Sequence, residues 1–324
     1  MNTSLAVLSY LSRNQDTYVS GQRLASEFGV SRTAIWKAIE NLRDEGHLID
    51  AVTNRGYSLI QQESLFDKGR LEALLPHVPI HLFDTIDSTN RYAKQLASEG
   101  CSTPTLVLAH SQSGGRGRLG RDFSSPKGGI YLSLIVEPPS SVSLAALITS
   151  AAAVASARAI EEVCSISCGI KWVNDLFLGG RKVGGILTEG VLNVESGALS
   201  SVVVGIGINF STPQQAYPLA LRPIVTSLYG KSSLVPKDID ASFLVAKLVS
   251  LLIGYSNTLS ERAFLPEYRS RSIVLGKQIV INAQRRQRKA LAIAIDDDSH
   301  LVVKTEDGKE ETLSSGEISI SLDA

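Results

Sequence analysis

Cysteine is scarce. The 324 residues hold three, Cys101, Cys164 and Cys168. They have no metal-ligand spacing and cannot all pair, which excludes a disulfide framework and points to buried thiols in a reducing cytoplasm. Net charge is missing too: 32 Lys and Arg balance 32 Asp and Glu. That balance argues against a general polyanion binder, though not against a local basic face. The first residues lack the basic-then-apolar layout of a signal peptide. The most apolar helical run, residues 144–163, carries Arg158, Glu161 and Glu162 among many Ala and Ser. It reads as a packed helix and not a membrane span. No Ser/His/Asp or Cys/His constellation, internal repeat or low-complexity tract stands out. At 44% hydrophobic residues the chain can bury ordinary cores, and its length suits two or three domains.

What is abundant is local. Between Gln112 and Arg121 the chain packs Gly114, Gly115, Gly117 and Gly120 among Arg116, Arg118 and Arg121. Glycine lets backbone approach a ligand, and guanidinium forks suit phosphate and carboxylate. The bland alternative is a solvated surface loop. Residues 115–120 match the pattern G-x-G-x-x-G, but a dinucleotide site needs a helix to follow. Here Pro126, Gly128 and Gly129 come first, and a strand is expected over 130–136. No crossover helix fits. A kinase glycine loop fails as well, because neither His-Arg-Asp nor Asp-Phe-Gly occurs. The stretch is expected to join two strands and fold over an anionic ligand, with Arg116 and Arg118 pointing in.

Three segments follow from the patterning, with boundaries at 1–62, 63–271 and 272–324. The first predicts a helix around Leu5, Val7, Leu8 and Leu11, a second over 21–28, a turn at Gly29-Val30, and a third from Arg32 to about Glu45 with Ser31 as its N-cap. Ile35, Ala38, Ile39 and Leu42 form that helix's core face, and Gly46 stops it. Strands at 48–52 and 57–60 then pair as a wing. This is a winged helix-turn-helix, with Ser31, Arg32, Thr33, Trp36, Lys37 and Arg55 as candidate DNA contacts. Charge does not decide the matter: six basic residues face six acidic ones in positions 1–60. A winged helix used for protein contacts is the alternative.

After a polar linker at 61–64, strands are expected at 80–83 and 106–109, with a helix between them from Thr89 to about Ser98. Asp87 or Ser88 can cap that helix, and Ser88 and Thr89 can equally bind a polar ligand head. Residues 169–187 read as strand, tight turn at Gly179-Gly180, strand. Lys182 lies just before Gly184-Gly185, aimed at a carboxylate or phosphoryl oxygen or else solvated. A strand at 201–204 leads into Gly205-Ile206-Gly207-Ile208-Asn209, read as backbone close to a ligand. Residues 211–229, with Pro213, Pro218 and Pro223, are expected to be a flexible segment able to order over that ligand. Helices follow at 240–257 and 260–270, then five short strands form a small β domain. The cluster Arg285, Arg286, Arg288 and Lys289 reads as a solvated turn.

Five stretches, in order, resemble the biotin protein ligase family in its bifunctional form. They are Asp87-Ser88-Thr89-Asn90, Gln112 with Gly114 through Arg121, Lys171-Trp172-Val173-Asn174-Asp175, Arg181 through Leu187, and Gly205 through Asn209. The resemblance implies an α+β chain: a winged helix-turn-helix, a central mixed-sheet ligase domain like class II synthetases, and a small SH3-like β-barrel. It implies that biotin and ATP, with Mg²⁺, give biotinyl-AMP, and that biotin then passes to a lysine of biotin carboxyl carrier protein of acetyl-CoA carboxylase. Biotin would meet Ser88, Thr89, Asn90, Gln112, Gly115, Arg116, Gly117, Arg118, Lys182, Gly185 and Gly205. The adenylate would meet Arg118, Arg121, Phe123, Asn174, Asp175, Lys182 and Asn209. Arg118 and Lys182 would be catalytic. Asn174 and Asp175 would orient Lys182 or hold Mg²⁺. It further implies a homodimer formed on adenylate binding that represses biotin synthesis genes at operator DNA. A ligase without repressor activity and a non-enzymatic biotin sensor are the competing readings. Val173 stands where many members have proline, and Phe123 where some have tryptophan; His110 has no assigned role.

Overall fold

The chain forms two compact units, Met1–Leu65 and Phe66–Ala324. In this computed structural model the residues described are 3–14, 17–44, 49–53, 55–59, 65–139, 141, 144–193, 196–283 and 286–320. Glu45, Gly46, Leu48, Asn54, Ile60, the linker at 61–64, Arg285 and positions 321–322 of the last expected strand lie outside them.

In the first unit, α1 (Thr3–Arg13), α2 (Gly21–Phe28) and α3 (Arg32–Asp44) precede β1 (Ile49–Val52) and β2 (Gly56–Leu59). Ser20 caps α2, accepting from Arg23 N at 3.1 Å, and Gly29 ends it at φ +64°. Ser31 caps α3 in the same way, accepting from Ala34 N at 3.1 Å. Val7, Leu11, Leu24, Ile35, Ile39 and Leu42 are fully buried where the helices meet. The hairpin pairs Ile49 with Leu59 through Val52 with Gly56. Gly56 sits at φ +108°, and a Cβ there would fall 2.2 Å from Val19 O. Only glycine allows Val19 and Tyr57 to exchange backbone hydrogen bonds, both 2.8 Å, which tie the wing to the segment before α2.

The second unit begins with α4 (Lys68–Leu74), β3 (Ile80–Phe83), α5 (Thr89–Ser98), β4 (Thr105–Ala109), β5 (Ile130–Val136) and α6 (Ala145–Cys164). Then come β6 (Gly169–Lys171), β7 (Asp175–Leu178), β8 (Arg181–Leu192), β9 (Leu199–Ile208), α7 (Ala241–Asn257) and α8 (Leu265–Ser270). Seven strands form one mixed sheet in the order β3-β4-β5-β9-β8-β7-β6. Only β3 and β4 run parallel.

Alternation along β8 assigns the two faces. Glu189 accepts from Asn90 and Lys94 of α5, while Thr188 accepts from Thr149 of α6. The Ala/Ser richness of α6 suits its place: Ala151, Ala152, Ala153, Ala155, Ala157 and Ala159 are all buried. Small side chains let that helix lie close to the sheet and to α7. Among the described residues no helix is long and apolar enough to cross a membrane. Cys164 and Cys168 are buried and Cys101 half-buried, and burial pushes the Cys168 thiol up to about 12.

The chain ends in β10 (Gln278–Ala283), β11 (Arg286–Ile295), β12 (Leu301–Thr305), β13 (Glu310–Leu313) and β14 (Glu317–Ile320). They form an antiparallel sheet in the order β13-β12-β11-β10-β14, with a bulge in β11 between Ala292 and Ala294. This is the small β domain expected after the last helices.

Four expectations change. Residues 169–187 hold three strands, not two, because the chain turns at 172–174 before β7 starts. The strand expected over 201–204 is longer: Gly205 through Ile208 continue β9, paired on both sides. Residues 211–229 are tied down: Ser227 Oγ donates to Thr212 O at 2.7 Å, Gln214 Nε2 bonds two carbonyls, and Tyr217 is buried. Prolines raised the expectation of mobility, but these polar groups find buried partners. The helix expected over 260–270 is also shorter, running as a single turn at Leu259–Glu261 followed by α8.

Candidate active site

A cleft of about 160 Å³ opens on the α5 face of the seven-stranded sheet. Its floor is the middle of the sheet, where Leu132, Ile186, Leu187 and Ile206 alternate with bare glycine positions. Gly185 pairs with Gly207 across β8 and β9, and Leu187 pairs with Gly205. A Cβ at Gly205 would fall 2.0 Å from Asn90 Oδ1, and one at Gly207 would fall 2.4 Å from Phe123 Cε1. These glycines therefore let α5 and the Arg-rich loop rest directly on strand backbone.

One end of the cleft is neutral and closely bonded. Ser88 caps α5 through Arg91 N and also lines the cleft. Gln112 Oε1 accepts from Thr89 N at 2.8 Å and lies 3.1 Å from Thr89 Oγ1, while Gln112 Nε2 donates to Ser125 Oγ at 2.8 Å. Ser133 Oγ, fully buried on β5, lies 2.8 Å from Thr89 Oγ1 and 2.6 Å from Asn90 Oδ1. Asn90 Nδ2 donates to Glu189 Oε2 at 2.9 Å, and Lys94 Nζ pairs with Glu189 Oε1 at 2.8 Å. Burial raises the Glu189 pKa, but hydrogen bonds from Lys94 and Asn90 and the charges of Lys94 and Arg116 outweigh it. The net result lies below the usual carboxylate range.

The other end is cationic. The loop between β4 and β5 folds on itself: Gln112 N donates to Ser125 O, Phe123 N to Gly115 O and Gly117 N to Arg121 O. Its crown, Arg118 through Gly120, is a single tight turn with Leu119 at φ +57° and 77% exposed. Arg118 Nη1 donates to Asn174 Oδ1 at 3.0 Å, and Asn174 Nδ2 donates to Ile186 O at 3.0 Å. Lys182 Nζ pairs with Asp175 Oδ1 at 2.7 Å and lies 5.8 Å from the Phe123 ring centre. Each residue of the Asn174-Asp175 pair thus steadies one cation, a division of labour the sequence left open. The segment after β9 fixes the Lys182 backbone, whose N donates to Ile224 O at 2.9 Å while its O accepts from Thr226 N at 2.8 Å.

Arg116, Gly117, Arg121 and Phe123 also line the cleft. Thus Ser88, Thr89, Asn90, Gln112, Arg116, Gly117, Arg118, Arg121, Phe123, Asn174, Asp175, Lys182, Gly185 and Gly205 are brought together. Two candidates are not among the lining residues. Gly115 packs inside the loop, where a Cβ would fall 2.4 Å from Phe123 O. Asn209 is buried, and its Nδ2 donates to Thr226 O at 2.9 Å, holding the segment that grips Lys182.

Sequence reasoning assigned no site role to several lining residues: Lys171, Trp172, Asp122, Leu132, Ile206, and Gly316 and Ile318 of the β domain. The Lys171-Trp172 stretch was a usable signal, since both lie in a quoted motif. Trp172 is buried and donates from Nε1 to Ser299 O at 2.9 Å, which joins the cleft to the β domain. Gly316 and Ile318 had no local signal. His110, without a role before, stacks on Phe66 with ring centres 4.9 Å apart, and burial holds its pKa below the ordinary value.

In the first unit, Arg32, Thr33, Trp36 and Lys37 lie exposed on α3, Trp36 at 53%. Ser31 is engaged as the cap. Arg55 is exposed on the wing and lies 4.3 Å over the Tyr18 ring, and Tyr18 in turn donates to Asp50.

Residues 82–209 match the Biotin/lipoate A/B protein ligase family, 3–58 an HTH domain and 274–321 the Biotin protein ligase C terminal domain. The bifunctional ligase/repressor BirA of Bacillus subtilis (strain 168) is 31% identical over 312 residues, covering 93% of this chain and 94% of that protein. The bifunctional ligase/repressor BirA of Escherichia coli (strain K12) is 27% identical over 315 residues, covering 92% and 94%. A biotin protein ligase from Aquifex aeolicus, solved in complex with biotin and ATP, superposes with a TM-score of 0.61 at 25% identity, covering 75% of this chain and 98% of that one. With kinship over 93% of its length and all three modules in order, the chain belongs to the biotin protein ligase family, in the bifunctional arrangement that joins ligase to repressor.

Proposed function

We propose that the cleft joins biotin to ATP and holds the product for transfer, with the biotin head at the neutral end and its carboxylate facing Arg118 and Lys182. The observation that carries this is the convergence of two separately braced cations on a cleft whose opposite end is neutral and apolar-floored. Two anions must meet there, and fixed positive groups offset their repulsion. A carboxylate oxygen of biotin attacks the α-phosphorus of ATP. An O–P bond forms, the bond to the β-phosphate oxygen breaks, and pyrophosphate leaves. The amine of an acceptor lysine then attacks the acyl carbon, forms an amide, loses its proton and releases AMP. No nucleophilic side chain of this chain is needed. Leu119 and Phe123 on the loop shield the mixed anhydride from water.

Among the described residues no cluster of three His, Cys, Asp or Glu could hold a metal ion. The cleft offers Asp122 and Asp175 carboxylates and the Asn174 amide oxygen. That set fits Mg²⁺ carried mainly by nucleotide phosphates, with Asp122 or Asp175 as a protein ligand. When bound, the ion would add charge neutralisation at the phosphates.

The acceptor is a lysine of biotin carboxyl carrier protein. The exposed α3 residues and Arg55 would read operator DNA as a homodimer, formed when the adenylate favours the dimer-competent state. The setting is the cytoplasm, where ATP and operator are both present. Purified protein should release pyrophosphate only when biotin and ATP are both supplied, and should then biotinylate an apo carrier domain. Release without biotin, or none with both, would overturn the ligase reading. Operator binding unaffected by biotin plus ATP would overturn the repressor reading.

A further inference from the structure

Arg55 stands at the turn of the wing with its charge unspent. It is exposed, and among the described residues its guanidinium forms no ion pair and donates no hydrogen bond. Its backbone is fixed all the same. Arg55 N donates to Val52 O at 3.0 Å, and the next residues, Gly56 and Tyr57, are tied to Val19. An arginine on a hairpin turn ordinarily samples many rotamers. This one lies with Cζ 4.3 Å from the centre of the Tyr18 ring.

Tyr18 is placed by the same pairing. Val19 bridges Tyr57 in the antiparallel sense and Asp50 pairs with Ser58, so Tyr18, Ser58 and Asp50 fall in one row across the wing. Val19 is buried toward the core, so Tyr18 takes the opposite, outer face. There its hydroxyl donates to Asp50 Oδ2, and Asp50 Oδ1 accepts from Ala51 N at 2.9 Å. The hydrogen bond to Asp50 does most to hold the Tyr18 phenol above its ordinary value, with desolvation and the Asp50 charge adding and Arg55 opposing. The ring therefore stays neutral at ordinary pH. The Asp50 carboxylate is turned to the phenol and to its own strand, and not to Arg55.

We propose that Tyr18 is a positioning residue for DNA: its ring, tethered by Asp50, lays Arg55 flat with the N–H edge of the guanidinium open to fork onto a backbone phosphate. This rests on the repressor reading and on Arg55 as a DNA contact. Stacking uses the face of a guanidinium and phosphate takes its edge, so both are satisfied together. A salt bridge to Asp50 would use that same edge and cancel the charge that DNA needs. A stacked side chain also has fewer rotamers to lose when the phosphate arrives. In a dimer the effect counts twice, once for each wing.

Three substitutions separate the platform from the contact it supports. Tyr18→Phe keeps the ring and drops the hydroxyl. Tyr18→Leu keeps an apolar side chain but has no π face, which releases Arg55 to water and to Asp50. Arg55→Ala removes the contact itself. Because Tyr18 acts through Arg55, its loss should matter only while Arg55 is present. A merely structural Tyr18 would cost the same in either background.

The experiment is fluorescence anisotropy of the full chain with biotin and ATP across a salt series. The probe is a duplex that the wild-type protein selects from a random-sequence pool, and Tm is recorded for each variant. Arg55→Ala should weaken binding about tenfold and flatten the salt dependence by about one phosphate contact per wing. Tyr18→Leu should weaken it about fivefold when Arg55 is present and by less than about twofold in the Arg55→Ala background. Tyr18→Phe should stay within about twofold of wild type. A Tyr18→Leu loss as large without Arg55 as with it, no loss from Tyr18→Leu, or Tyr18→Phe no better than Tyr18→Leu would each overturn the proposal. Side-chain NMR gives a check that holds even if Tyr18→Leu does not fold. The Arg55 side-chain signals, assigned by their absence in Arg55→Ala, should lie upfield through the Tyr18 ring current, and unshifted signals would overturn the proposal. Wild-type affinity in Arg55→Ala, or no duplex selected at all, would instead overturn the reading on which it rests.

Discussion

The two ends of the cleft are built by opposite means. At the neutral end, Thr89, Asn90 and Ser133 are buried and share hydrogen bonds with Gln112 and Glu189, so the geometry is complete before any ligand arrives. At the cationic end, Arg118 and Lys182 remain partly exposed, each braced by one neighbour on the strand β7 or the turn before it. Buried dipoles hold direction well but cannot neutralise a full charge. Half-exposed cations can neutralise it, and stay adjustable, because water competes for them until the ligand displaces it. The contrast predicts that damage at the cationic end appears in rates and in retention of the intermediate, and damage at the neutral end in affinity for the head group.

The largest expected effect is at Lys182. Lys182→Ala should slow biotin-dependent pyrophosphate release by about 10²–10³-fold, the range seen when one charge-stabilising donor is removed. The KM for biotin should change little, and a rise in KM with kcat intact would break the contrast. Arg118→Gly should act on retention: adenylate should dissociate from the purified protein on the order of tenfold faster, followed by trapping it in solution with hydroxylamine. At the neutral end, Gly205→Ala pushes a methyl into Asn90 Oδ1. It should weaken biotin by about tenfold and lower stability by roughly 1–3 kcal/mol, as overpacking does. Denaturant unfolding and calorimetry read the two effects.

Smaller effects sharpen the same contrast between exposed charge and buried dipole elsewhere in the chain. Arg32→Ala on α3 should reduce operator affinity and flatten its salt dependence by about one phosphate contact, measured by fluorescence anisotropy across a salt series. The smallest concerns His110, whose pKa is lowered mainly by burial against Phe66. The unfolded chain therefore takes up the proton first as pH falls. The stability contribution is complete above the ordinary histidine value of about 6.5 and is lost as pH drops through the lower folded value. His110→Phe keeps the stacking and has nothing to protonate, so Tm plotted against pH should be flatter for the variant below about 6.5.

Elements governed by near neighbours were legible in the sequence. Ser31 caps the helix it precedes, Gly29 ends α2, and Gly179-Gly180 turn with positive φ between β7 and β8. Periodicity marked Ile35, Ile39 and Leu42 as core, and they are fully buried. Motif spacing was enough to gather Thr89, Gln112, Arg118 and Lys182 around one cleft. Two readings fell short for one reason. The strand expected over 201–204 stopped before Gly205 and Gly207 because glycine is poor in strands, and the need for glycine there comes from Asn90 and Phe123 pressing on β9 from distant parts of the chain. Residues 211–229 looked mobile because of their prolines, yet Asn209 and Lys182 supply partners that no local window contains.

The sequence by itself settled the winged helix and the identity of the charged groups. Each depends on period, cap or turn chemistry within a few residues. Tertiary structure alone decided which strands became neighbours, that Gly115 and Asn209 serve the scaffold, and that Gly316 and Ile318 reach the cleft. Those outcomes depend on shape and on hydrogen-bond capacity shared between groups up to about a hundred residues apart, and a linear pattern carries neither.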